Sequence, residues 1–92
     1  MYLLLNQNKL AKEAYQTSLD KKSNYYPSLG NLGIIYFNDG NYERSIYYLL
    51  KAIKSNPQFA EAWVNLSNCY LKQGKLIEAK ESALMSVNLR YD

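Results

Sequence analysis

Leu29, Leu32, Gly33, Tyr36, Gly40, Tyr42, Ser45, Leu49 and Ala52 recur in kind thirty-four residues later, as Trp63, Leu66, Ser67, Tyr70, Gly74, Leu76, Ala79, Ala83 and Ser86. The residue types match or stay close at nearly every pair. Self-similarity at a fixed period of this length, with helical spacing inside it, marks a repeat array. The stretch from Leu29 to Pro57, taken with its copy, therefore decides the fold.

Within the first copy, Leu29, Leu32, Gly33 and Tyr36 stand at i, i+3, i+4 and i+7 and share one helix face. Pro27 suits a first helical turn, where its missing N–H is not needed. Gly33 has no side chain, which lets a neighbouring helix approach closely. Asn38 to Asn41 is a dense turn signal. A second helix is expected from about Tyr42 to Ser55. Its stripe of Tyr42, Ser45, Ile46, Leu49, Leu50, Ala52 and Ile53 is broad enough for two neighbours. Asn56 and Pro57 end it, because the residue before a proline avoids the helical region.

Residues 60–92 repeat the plan of residues 26–59. Trp63, Leu66, Ser67 and Tyr70 form the first-helix face, Gln73 and Gly74 the turn. Leu76, Ala79, Ala83, Leu84, Ser86 and Val87 line the second helix. Lys80 stands where Ile46 stood, so this helix is expected to be less completely covered on one side. Tyr91 replaces Pro57, which weakens the stop signal. Residues 1–25 read as a repeat without its front. Tyr2 pairs with Tyr36, Ala11 with Ser45, Tyr15 with Leu49 and Ser18 with Ala52, and Asn6 falls where Gly40 sits. Asparagine is the next best residue to glycine in a left-handed turn. Met1 to Leu5 is thus expected to close a first helix, and Lys9 to Lys21 to form most of a second. Leu10, Ala11, Ala14, Ser18 and Leu19 supply its apolar stripe.

Each helix pair carries apolar residues on more than one face and cannot bury them alone. Stacked pairs bury them between neighbours and wind into a superhelix. The expected architecture is one all-α domain spanning residues 1–92.

Composition removes whole function classes. The 92 residues contain no histidine, so a Ser/His/Asp triad, a Cys/His pair and a histidine metal site are impossible. The single cysteine, Cys69, rules out an internal disulfide or a cysteine cage, and is expected as a small buried apolar residue. Glu43, Glu61, Glu78 and Glu81 fall at unrelated or outward places, and no glycine loop is built to cradle phosphate. No catalysis, cofactor or metal is expected. A net charge of +3 is too mild to argue for nucleic acid, although ten tyrosines invite the thought of stacked bases. Tyr36 and Tyr70 sit on packing faces, Tyr42 lies on a helix stripe, and Tyr25, Tyr26, Tyr47 and Tyr48 are expected to be partly exposed. No stretch approaches the roughly 20 apolar residues of a membrane span. Met1 to Leu5 is too short for a leader core. A cytoplasmic protein with no membrane partner is expected.

At these residues the chain resembles the tetratricopeptide repeat family, with about two and a half repeats. The resemblance implies a right-handed superhelix of antiparallel helix pairs. It also implies a non-enzymatic scaffold that binds a protein partner, with first helices lining a concave groove for an extended peptide or a partner helix. On the complete repeat the groove set is Pro27, Gly30, Asn31, Ile34, Phe37 and Asn38. On the next it is Glu61, Val64, Asn65, Asn68, Leu71 and Lys72. Asn31 and Asn65 stand one period apart, each just before a leucine. Such a ladder is similar to that of long arrays of the O-linked N-acetylglucosamine transferase type, where amides hold a peptide backbone. A carboxamide offers one acceptor and two donors, which match a backbone C=O and N–H without reading side chains. Members that grip chaperone C-termini use lysine and arginine in the groove. Glu61 and Asn65 stand where those cations are expected, so no carboxylate clamp is implied.

Magnitudes limit what two rungs achieve. Each amide contributes about 1–2 kcal/mol net, whereas micromolar binding needs about 8 kcal/mol. Apolar anchors such as Ile34, Phe37 and Leu71 must add to it, or the groove belongs to a longer array. The alternative is a spacer or self-assembling segment of such an array, associating through open repeat ends and attached in some cases to a catalytic domain.

Overall fold

A computed structural model describes residues 2–91, and side chains from Lys9 to Arg90. The pairing of Tyr2 with Tyr36, and the side chain of Tyr91, lie outside the described side chains. Five helices follow one another: α1 (Tyr2–Lys21), α2 (Tyr26–Asn38), α3 (Tyr42–Ser55), α4 (Ala60–Lys72) and α5 (Leu76–Tyr91). No strand occurs among the described residues. The chain is an all-α solenoid. α2 and α3 form one antiparallel hairpin, α4 and α5 the next, and α1 packs on α2.

The two hairpin turns are built alike. Gly40 and Gly74 take φ values of 81° and 76°, a region that side chains rarely tolerate. Behind each glycine the chain bonds back to the tyrosine of the first helix. Asn41 N donates to Tyr36 O at 2.9 Å, and Lys75 N donates to Tyr70 O at 2.8 Å. These bonds satisfy carbonyls that the helix end leaves open. Asn41 then caps α3, its Oδ1 accepting from Arg44 N at 3.3 Å. Asn56, extended at φ −139° and ψ 90°, stops α3 before Pro57.

The core lies between α2, α3 and α4: Leu29, Leu49, Ala52, Ile53, Ala62, Leu66 and Cys69 are all buried there. Small residues set the hairpin spacing. Ser45 Oγ donates to Gly33 O at 2.5 Å, and one period on Ser67 Oγ donates to Ala79 O at 2.8 Å. The hydroxyl changes sides between repeats, from second helix to first, yet each seam holds one buried serine bonded to the opposite backbone. Cys69 Sγ donates to Ser45 Oγ at 3.2 Å and so ties α4 to α3. Its burial is as the sequence predicts.

One expectation fails. α1 runs without interruption through Asn6, and no non-glycine residue among those described has positive φ. Asparagine inside a helix costs well under about 1 kcal/mol relative to alanine. The residues around Asn6 are compatible with a helix interior, and α1 continues through them to Lys21. The α1 stripe is also only half used. Ala11, Ser18 and Leu19 are partly buried, but Leu10 is 64% exposed and Ala14 is exposed. α5 shows the one-sided cover that Lys80 foretells: Leu84 and Val87 stay exposed, and among the described helices α5 packs only against α4. Among the described residues no helix is long and apolar enough to cross a membrane.

Candidate functional site

The first helices of the pairs, α2 and α4, approach each other directly, whereas the backbones of α1, α3 and α5 stand apart from one another. The stack therefore has an inner side made by α2 and α4 and an outer side spread by the second helices. Asn31, Ile34 and Asn38 lie on one stripe of α2 at i, i+3 and i+7. Glu61, Asn65, Asn68 and Lys72 lie on the matching stripe of α4. Asn31 and Asn65 are both half-buried, while Ile34, Asn38, Glu61, Asn68 and Lys72 are exposed. Neither the Asn31 nor the Asn65 carboxamide is committed to a hydrogen bond among the described residues. Their helices thus present two amides in equivalent places with unused donors and acceptors.

The remaining expected groove positions are used differently. Gly30 is buried, and a Cβ there would meet the Phe59 ring at 2.7 Å. Phe59 in turn packs edge-on against Tyr26, with centroids 5.0 Å apart. Phe37 is half-buried against the core and tilts onto Tyr42 at 5.4 Å. Phe37 thus leans on Tyr42 of α3, whereas Gly30 faces Phe59 at the entry to α4, and the expectation that Gly30 lines an open groove is corrected. The cause is superhelical: α4 enters beside α2 and covers that flank. Val64 and Leu71 hold the same flank of α4, on which no further helix packs among the described residues. Val64 is half-buried and Leu71 is 52% exposed.

On the outer side the gap between α1 and α3 is filled. Tyr48 lies parallel to Tyr36 (5.5 Å, 3°), and its hydroxyl accepts from Gln16 Nε2 at 2.9 Å. Tyr47 packs edge-on against Tyr48 at 5.1 Å and is 56% exposed. Lys12 Nζ sits 4.8 Å from the Tyr36 ring centre and pairs with Asp39 at 2.6 Å. Arg44 lies 5.8 Å from the same ring. The gap between α3 and α5 is open. It forms a groove of about 520 Å³ lined by Leu50, Trp63, Leu66, Tyr70 and Met85, with Glu78 and Glu81 at its edge. Trp63 is anchored beside it, its Nε1 donating to Pro57 O at 3.0 Å. Sequence reasoning missed this groove. The signal was there in the one-period mismatch between Tyr48 and Ser82.

Among the described residues two groups are perturbed. Burial pushes the Cys69 thiol up, partly offset by its bond to Ser45. Burial also raises the Tyr70 phenol, and the Glu78 carboxylate and Cys69 add to the effect. Both protons are held more tightly in the folded chain than in the unfolded one. The associated stability is complete below pH 9.0, the ordinary thiol value, and is lost as pH rises through the raised values. Urea midpoints measured across that window should fall with increasing pH. A flat profile would contradict the burial of Cys69.

Two tetratricopeptide repeat models match the chain, over residues 27–59 and 48–81. UDP-N-acetylglucosamine–peptide N-acetylglucosaminyltransferase of Caenorhabditis elegans is 45% identical over 56 residues, covering 61% of this chain and 5% of that protein. Pre-mRNA-splicing factor 6 of Saccharomyces cerevisiae is 29% identical over 70 residues, covering 76% of this chain and 8% of that protein. The chain thus spans less than a tenth of either curated relative. Among solved structures, MamA superimposes with a TM-score of 0.88 at 20% identity, over 96% of this chain and 52% of that one. The second TPR of Spaghetti (RPAP3), bound to the HSP90 peptide SRMEEVD, superimposes with a TM-score of 0.87 at 19% identity, over 96% and 82%. Matched from residue 27 to residue 81 and folded as stacked helix pairs, the chain belongs to the tetratricopeptide repeat family.

Proposed function

We propose that the chain is a non-enzymatic protein-interaction module that holds an extended peptide or a partner helix along the inner side of α2 and α4. Asn31 and Asn65 contact the backbone of that segment, and Ile34 supplies an apolar anchor between them. The observation that carries this reading is the pair of half-buried carboxamides one period apart, with their hydrogen-bonding capacity unused. Two relatives lend support by name: one acts on peptide, and one is seen with a peptide bound. The repeat units run from 26 to 59 and from 60 to 92, behind the partial unit 1–25. Because Glu61 and Asn65 stand where a carboxylate clamp needs cations, the preferred segment is not an acidic C-terminus.

A second reading has its own observation. Leu71 and Val87 stay exposed on the flank of α4 and α5 where a further repeat would pack. A segment that stacks end to end would use that flank and leave the asparagines idle. Affinity for library-selected peptides, compared between the wild type and Asn31→Ala/Asn65→Ala, separates the two. The inner-side reading expects the double substitution to weaken binding about 30-fold or more. Stacking through the ends leaves it unchanged.

A further inference from the structure

The outer groove is the empty counterpart of a filled site one repeat earlier. Shifted by one period, Tyr36 becomes Tyr70, Tyr48 becomes Ser82, Arg44 becomes Glu78 and Gln16 becomes Leu50. At the earlier site the protein supplies everything itself. Tyr48 provides a ring stacked on Tyr36, Gln16 holds its hydroxyl, and Lys12 and Arg44 place cations near the Tyr36 ring. At the later site the first tyrosine remains but its stacking partner is missing. Ser82 is only 4% exposed and its small side chain cannot span the gap, so α3 and α5 stay apart over the Tyr70 ring. The cations are missing as well. Ile46 stands in the place of Lys12, and Glu78 and Glu81 put two carboxylates on the edge with no basic side chain in the lining.

We propose that this groove receives an aromatic side chain from a segment of a partner protein, stacked on Tyr70 as Tyr48 stacks on Tyr36, with a lysine or arginine of that segment held by Glu78 and Glu81. The ring follows from what the same scaffold accepts one repeat earlier. Leu50, Trp63 and Met85 offer apolar walls to the rest of it. The cation follows from charge: the earlier site carries its own, whereas the later one presents only acid. This surface lies on the outer side, away from Asn31 and Asn65, and is independent of the peptide-backbone reading.

The test is a titration of the isotope-labelled chain, followed by amide NMR, with acetyl-Lys-Tyr-Arg-amide. Shifts are expected to centre on Tyr70, Ser82 and Met85. Replacing the peptide tyrosine by alanine should weaken binding about tenfold, the scale of an aromatic pair. Replacing both peptide cations by glutamate should weaken it about two- to fivefold for each carboxylate it meets. Ser82→Tyr supplies the missing ring from within and should remove the shifts without loss of helicity. Should that variant fail to fold, Glu78→Lys/Glu81→Lys, at two exposed positions, should reverse the preference toward acetyl-Glu-Tyr-Glu-amide. Equal shifts for the tyrosine and alanine peptides would overturn the proposal. So would shifts centred on Asn31 and Asn65 instead. Concentration-dependent self-association that Ser82→Tyr abolishes would give the groove to a second copy, and would likewise overturn assignment to a separate partner.

Discussion

Leu49→Ala is expected to remove about 2–5 kcal/mol of stability, the range for leucine truncation in a well-packed core. Leu49 is fully buried at the junction of α2, α3 and α4, where it touches the backbone of α2 at Gly33. Its loss opens a hole that rigid helices on both sides cannot close. A chain of this length has a total stability of about 5–14 kcal/mol at the usual density per residue, so the change takes a large share of it. Urea unfolding followed by helicity should show a lower midpoint with an unchanged slope. A loss below about 1 kcal/mol, the scale of an ordinary surface change, would mean that the seam between α2 and α3 is looser than described.

The second large effect is a coupling. A Cβ at Gly33 would lie 2.7 Å from both Cγ and Cδ2 of Leu49, and 3.4 Å from Ser45 O. Gly33→Ala alone therefore overpacks the seam, at a cost of about 1–3 kcal/mol. Alanine's better helix propensity returns at most about 1 kcal/mol. In a Leu49→Ala background the obstructing atoms are gone, and the same change should be neutral or stabilising. The expected coupling is about 1–3 kcal/mol, measured by a double-mutant cycle. The chain already contains a version of this experiment. One period on, Ala83 stands in the place of Leu49, and Ser67 stands in the place of Gly33. Strict additivity in the cycle would disprove the steric origin of the glycine.

Most of the fold was legible because its determinants are local and repeat. The turn at Gly40 is written in Asn38 to Asn41, the span of α3 in Tyr42 to Ser55, and the close approach at Gly33 in the missing side chain. The continuity of α1 was not legible. The match of Asn6 to Gly40 is a similarity of turn chemistry, but asparagine also sits in a helix interior at small cost, and only the two glycines take positive φ among the described residues. The burial of Gly30 was not legible either. Which side of α2 faces α4 depends on the superhelical offset between pairs and on Phe59, a loop residue outside the matched pattern. On the inner side the recurrence of Asn31 and Asn65 is plain in the sequence. The outer side was illegible, because the groove there arises from a difference between repeats. A search for recurrence passes over Tyr48 and Ser82 because they fail to recur.

The inner-side assignment rests on two carboxamides, and the most direct measurement is the affinity of library-selected peptides for wild type and for Asn31→Ala/Asn65→Ala, with equal helicity verified first. Loss of two amide contacts worth about 1–2 kcal/mol each predicts a weakening of about 30-fold or more. Peptides that bind both proteins with equal affinity would show that the asparagines are solvated helix positions and that the inner side of α2 and α4 does not read a peptide backbone.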